Sequence, residues 1–194
     1  YSIQAETLMK AAVEDYVEII KDIQASNANM TLIKGIRVNI SGKPRRLVDI
    51  GDLRTGETEN KLQVLVFNTD HIEILVPEIN EAGFETNVDG QFVNIDVPDP
   101  SFKQLMEVID DLNRRKNSAV GRLTKAKSEA TTRARAAVEN EFIEQSVASQ
   151  ASKKCDVFYD QYSGEMSEIT DKKIMEILGE EFYEKYKEEQ AQFD

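Results

Sequence analysis

The chain has no tryptophan, one histidine (His71) and one cysteine (Cys155), and these gaps remove much of the chemistry a protein could perform. A single imidazole with no nucleophile motif around it fits a Ser-His-Asp triad poorly. His71 instead reads as structural, or exposed in a turn before a helix. A lone cysteine permits no internal disulfide and points to a reducing compartment. With no second cysteine or neighbouring histidine it makes no zinc site, so helix packing is its expected role. No Gly-rich phosphate loop is present, because Gly51 and Gly56 stand isolated in turns. No apolar run approaches the roughly 20 residues that span a bilayer, and nothing at the N-terminus reads as a secretory signal. The expectation is a chain that is not an enzyme and uses no metal, cofactor or membrane.

What is abundant is charge. The 194 residues hold 36 acids against 24 Lys and Arg, a net charge of -12 and a pI near 4.7. Such a surface repels phosphate generally, so any nucleic-acid contact must be local. One stretch breaks the acidic rule. From Asn113 to Ala137 the chain carries Arg114, Arg115, Lys116, Arg122, Lys125, Lys127, Arg133 and Arg135, with Glu129 as the acid among them. Leu112, Ala119, Leu123, Ala126, Ala130 and Ala137 recur there at steps of three, four or seven, as one helix face would. A helix apolar on one side and cationic on the other suits packing on sister helices while facing a polyanion. An ordinary solvated face is the alternative.

The remaining periodicity gives the layout. Residues from about 3 to 30 read as a first helix with Leu8, Ala12, Tyr16, Ile19, Ile20 and Ile23 inward, fading in Ser26-Asn27-Ala28-Asn29. From Thr31 the period shortens. Strands are expected at Ile36 to Ile40, Leu62 to Phe67 and Phe92 to Val97, with a short helix from His71 to Ala82 despite Pro77. Ser41-Gly42-Lys43-Pro44 stops the first strand, Asn68-Thr69-Asp70 turns, and Thr86 to Gly90 reads as turn-like. Ser101 is a candidate N-cap for a second long helix running to roughly Val147, its apolar face closed by Val138, Phe142 and Ile143. A small polar run from Ser146 to Ser152 would turn into a third helix. That helix is weak at Ser163-Gly164 and firmest from Glu168 to Glu189, through Ile169, Lys173, Ile177 and Tyr186. The expected class is α+β. A three-helix bundle forms from 1–30 and 101–194, with a small β-rich α+β domain inserted at 31–100.

That order resembles the ribosome recycling factor family. The family's I-R-T-G-R-A and L-L-D-G-I segments match Ile23-Gln24-Ala25-Ser26-Asn27-Ala28 and Leu32-Ile33-Lys34-Gly35-Ile36 without a gap. Gly42, Leu47, Phe67 with Asp70, Ala82-Gly83-Phe84, and Val97-Pro98-Asp99-Pro100 fall where the family has comparable turns. Ala119-Val120 opens its A-V-R-N-V-R-R-D-A signature, and Ile169-Thr170-Asp171 with Ile174 resembles its L-T-D-x-x-I. There are departures. Gln24 and Asn27 replace both hinge arginines, and Gly121 and Thr124 sit at signature arginine positions where Lys125 keeps a cation. A lysine cannot supply the planar bidentate contact of a guanidinium.

The resemblance implies an L-shaped translation factor without catalysis of its own, monomeric when free. It would bind large-subunit ribosomal RNA and proteins and split post-termination ribosomes with an elongation factor G homologue. The implied RNA-facing residues are Arg114, Arg115, Arg122, Lys125, Lys127 and Arg133. The implied hinge is Asn27, Ala28 and Asn29 with Pro98 and Pro100. Lys43, Arg45 and Arg46 form a second cluster that touches RNA or protein or is simply solvated. The expected setting is the mitochondrial matrix, with another organelle or a bacterial cytoplasm as alternatives. Competing readings are a ribosome assembly factor or ribosome-associated structural protein without recycling activity, and a helical interaction module unrelated to ribosomes.

Overall fold

The computed structural model describes residues 1–25, 27–58 and 60–194. It divides the chain into two units, Tyr1–Ile23 with Ile109–Asp194, and Gln24–Val108. In order the elements are α1 (Ser2–Ile20), α2 (Asn27–Lys34), β1 (Arg37–Ile40), β2 (Lys43–Arg46), α3 (Leu47–Ile50), β3 (Gly51–Thr55), β4 (Lys61–Val66), a 3-10 turn (Thr69–His71), α4 (Ile72–Glu81), β5 (Glu85–Asp89), β6 (Phe92–Asp96), α5 (Phe102–Glu139) and α6 (Gln145–Ala191).

The inserted unit is a four-stranded antiparallel sheet, ordered β3-β4-β6-β5, with a separate β1–β2 hairpin. Alternation along β4 puts Leu62, Val64 and Val66 in the core, where they meet Val93 and Ile95 of β6, Ile72, Leu75 and Ile79 of α4, and Ile33 of α2. β3 must start on glycine, since a Cβ at Gly51 would fall 2.6 Å from Val64 Cγ1 and 3.0 Å from Leu65 O. Asn68 Oδ1 accepts the Asp70 backbone N–H at 3.0 Å and sets the turn into α4.

Three strands of this unit differ from the expectation. The turn after β1 is Ser41–Gly42 alone, both with positive φ, and Lys43 and Pro44 already belong to β2. A proline is tolerated there because the ribbon has free edges. Residues 86–89, expected as a turn, belong to β5, an edge strand with no buried side chain, so its sequence lacks apolar alternation. β3 likewise buries little beyond Gly51.

The other unit is a three-helix bundle of α1, α5 and α6. α1 buries Ala5, Met9, Ala12, Val13, Tyr16 and Ile20. Leu8 and Ile19, expected inside, are each 49% exposed. α1 stops at Ile20, well before the expected residue 30, and a new helix starts at Asn27; Ser26 lies outside the described residues. Lys173 Nζ donates to the Lys21 carbonyl at 3.2 Å, so a buried ammonium closes the end of α1, where the helix dipole favours a cation. Thr170 Oγ1 donates to the Met166 carbonyl at 2.7 Å and is left to accept from the buried Tyr16 hydroxyl.

Ser101 caps α5 as expected, in a reciprocal box. The Gln104 N–H donates to Ser101 Oγ at 3.2 Å, and the Ser101 N–H donates to Gln104 Oε1 at 2.9 Å. The far end of α5 comes earlier than expected, at Glu139 instead of Val147. Glu141 N–H reaches Val138 O at 3.0 Å, and Phe142 N–H reaches Ala137 O at 2.8 Å. That is a Schellman ending with Glu141 in the left-handed region, φ 60°. α4 ends the same way with Gly83 at φ 100° and a buried Phe84. At α5, Phe142 is 81% exposed, not closing the apolar face. Glu141→Gly should remove a left-handed penalty of about 1–2 kcal/mol against about 0.5–1 kcal/mol of added chain entropy. A melting temperature about 1–4 °C higher is expected by circular dichroism.

α6 runs helically through Ser163-Gly164, the expected weak point, and breaks instead at Gly179 (φ 73°, ψ 171°). Both glycines have open space around a Cβ; what separates them is backbone conformation, which at Gly179 few L-residues adopt.

Burial raises the phenol pKa of Tyr16, Tyr162 and Tyr186 above the ordinary 10.0. The unfolded chain therefore sheds these protons first, and stability should fall as pH rises past about 10. Tyr16→Phe should flatten that fall when melting is followed across this range.

Candidate nucleic-acid interface

α5 runs as a helix from Phe102 to Glu139 and buries Ile109, Leu112, Ala119, Leu123, Ala126, Ala130, Ala134 and Ala137. The six apolar positions expected between Leu112 and Ala137 are all buried. The cations therefore lie on the flanks and the outer face, and the structure divides them into two groups.

The flank cations are tied to sister helices. Arg122 Nη1 lies 2.8 Å from Asp15 Oδ2 of α1, and Arg133 Nη1 donates to Gln4 Oε1 at 3.3 Å. On the other side Lys127 Nζ is 2.8 Å from Asp156 of α6 and 5.0 Å from the Tyr159 ring centre. The hydrogen bond to Asp156 raises the lysine pKa, which keeps it charged. Arg114 and Arg115 share Asp111 one turn back, at 3.7 and 3.2 Å. Lys125 is 4.0 Å from Glu129. Surface pairs of this kind contribute about 0–1 kcal/mol, so a phosphate can compete for them.

The outer group follows from exposure. The Arg114 and Lys125 side chains are 76% and 77% exposed, against 48% for Arg122 and 38% for Lys127. Arg135, absent from the residues expected to touch RNA, is exposed and in no ion pair among the described residues. It lines two adjoining open grooves between α5 and α6, of ≈ 480 and ≈ 370 Å³. The first also holds Lys127, Ser128, Thr132 and Tyr159, the second Ser149, Ser152 and Lys153. Thr124 and Thr131 donate back to helix carbonyls and have only lone pairs to offer. Lys153 was also missed, because its place beside Arg135 appears only once α6 folds back along α5.

At the signature positions the outer face is bare. Gly121 and Thr124 are exposed, and a Cβ at Gly121 meets nothing within 4 Å. Gly121→Arg should therefore fold, adding up to about 1 kcal/mol of helix stability. It should also steepen the salt dependence of RNA binding by about one unit of log–log slope, measured by titration against large ribosomal subunits.

The expected hinge residues fall as follows. Asn27, Ala28 and Asn29 lie inside α2, so the break between helices spans residues 21–25 among those described. Asn29 is buried, and its Nδ2 donates to Pro98 O at 3.3 Å, fastening one crossing segment to the other. Pro98 and Pro100 are in irregular backbone. Lys43, Arg45 and Arg46 are exposed along β2. Cys155 is buried in α6, and its burial raises the thiol pKa. Among the described residues no His, Cys, Asp and Glu gather as metal ligands would.

These features define an α+β protein of two units, one a helical bundle built from the two ends of the chain and the other an inserted antiparallel sheet with its helices, and they place a surplus of cations on one bundle helix. The family model for ribosome recycling factor matches residues 17–178, and the chain belongs to that family. It is 24% identical over 174 residues to the ribosome-recycling factor of Chlamydia caviae, covering 89% of this chain and 94% of that one. It is 25% identical over 116 residues to that of Chlamydia abortus, 59% and 64% of the two chains. A solution structure of ribosome recycling factor superposes with a TM-score of 0.52 at 22% identity, covering 92% of this chain and 96% of that one.

Proposed function

We propose that the chain is a ribosome-binding translation factor that splits post-termination ribosomes together with an elongation factor G homologue. The observation that carries this reading is the family match over residues 17–178. Its physical support is α5, where Arg114, Lys125 and Arg135 face outward from a protein of net charge -12 and can meet large-subunit RNA phosphates. The chain contributes position and charge to the task and no chemistry of its own. It acts as a monomer in the mitochondrial matrix; Glu176, Glu180, Glu181, Glu184 and Glu188, all exposed on α6, suit protein neighbours on an organellar ribosome.

Gly121 and Thr124 favour a second reading. A recycling factor bare at these positions could hold a large-subunit precursor without splitting anything. Sedimentation tests what the two readings share. The chain should co-sediment with large subunits and release as salt rises; recovery only in ribosome-free fractions would sink both.

A further inference from the structure

The β1–β2 hairpin carries charge that neither the core nor α5 accounts for. Lys34, Arg37, Lys43, Arg45 and Arg46 are all exposed, and Asp49 is the one acid between residues 34 and 49, in a chain of net charge -12. β2 buries none of its side chains, so packing does not explain its composition. Arg37 stands directly opposite Arg46 in the ladder, an arrangement of like charges that destabilises a hairpin. Asp49 pairs with Arg46 at 3.6 Å. Lys34, Arg37, Lys43 and Arg45 have no ion pair among the described residues.

We propose that this hairpin is a second polyanion-binding surface, on the inserted unit, and that its ligand is the phosphodiester backbone of RNA. Lys43 and Arg45, two apart on one strand, project to the same side about 6.8 Å from each other. Arg37 and Arg46 project together to the opposite side. Guanidinium groups bind phosphate oxygens in pairs, and a nearby phosphate relieves the repulsion between the facing arginines. The tight Ser41–Gly42 turn, with φ 52° and 78°, fixes the ribbon that presents them. No aromatic residue lies between Arg37 and Arg46, so the surface lacks the stacking platforms that grip bases. It reads charge along a strand, and does so whether or not the chain splits ribosomes.

The test uses the full chain and a fluorescein-labelled oligouridylate, with anisotropy measured between about 50 and 200 mM potassium chloride. The triple variant Lys43→Glu, Arg45→Glu, Arg46→Glu should bind about tenfold or more weakly, with a log–log salt slope reduced by about 2. Arg37→Gln serves as the folding control, because it should raise the melting temperature while weakening RNA binding. An unchanged affinity and slope in the triple variant would overturn the proposal. So would polyglutamate binding to the hairpin as tightly as the oligonucleotide, which would mark a docking surface for acidic protein. Co-sedimentation with ribosomes that persists while oligouridylate binding is lost would leave the recycling reading standing and confirm the hairpin as a separate RNA contact.

Discussion

Leu123→Ala is expected to destabilise the helical bundle by about 3–5 kcal/mol, toward the upper end for a buried leucine. Leu123 is fully buried, and the other buried positions of α5 from Ala119 to Ala137 are alanines. Alanine seams let helices approach closely, and they leave no side chain able to swing into a hole. A cavity opened there stays open, so both the lost transfer energy and the cavity cost are felt. Melting should drop by about 6–15 °C for a chain of this size. Leu123→Met, which conserves volume, should cost less than about 1.5 kcal/mol. A loss below about 1 kcal/mol for the alanine variant would mean that α5 does not pack tightly at this level.

Charge reversal of the outward cations should have the largest effect on binding. The variant Arg114→Glu, Lys125→Glu, Arg135→Glu is expected to lose about 100-fold in affinity for large subunits at low salt, from about 1 kcal/mol per exposed charge contact. Its log–log salt slope should fall by about 3. Arg122→Glu makes an informative contrast. It breaks a 2.8 Å pair with Asp15 and sets two carboxylates side by side, so its effect should appear first in stability, at about 1 kcal/mol or less. If the two variants bind equally well, the outward face of α5 is not the RNA-binding surface.

The sequence made some features readable and hid others, for physical reasons. β4 and β6 alternate because one of their faces is buried, and α5 shows its seam because alanines repeat at helical spacing. β2 and β5 expose nearly everything, so neither leaves a hydrophobic pattern to detect. The end of α5 was hidden because a glutamate fills a left-handed position where glycine is usual, and the helical pattern read straight through it. The fates of Gly164 and Gly179 depend on backbone geometry that residue type does not encode.

The candidate interface shows the same division. The block of cations was plain in the chain, but Asp15 and Gln4 are 107 and 129 residues from the arginines they meet. Only folding shows that Arg122, Lys127 and Arg133 brace the bundle, while Arg135 and Lys153 share a groove.

The most direct test of the account is ribosome splitting. Purified chain and an elongation factor G homologue, with GTP, would be added to post-termination ribosomes and dissociation followed by light scattering. Splitting that requires both proteins, and that weakens with Arg114→Glu, Lys125→Glu, Arg135→Glu, is the predicted result. Intact ribosomes in the presence of both, alongside firm binding to immature large subunits, would contradict it.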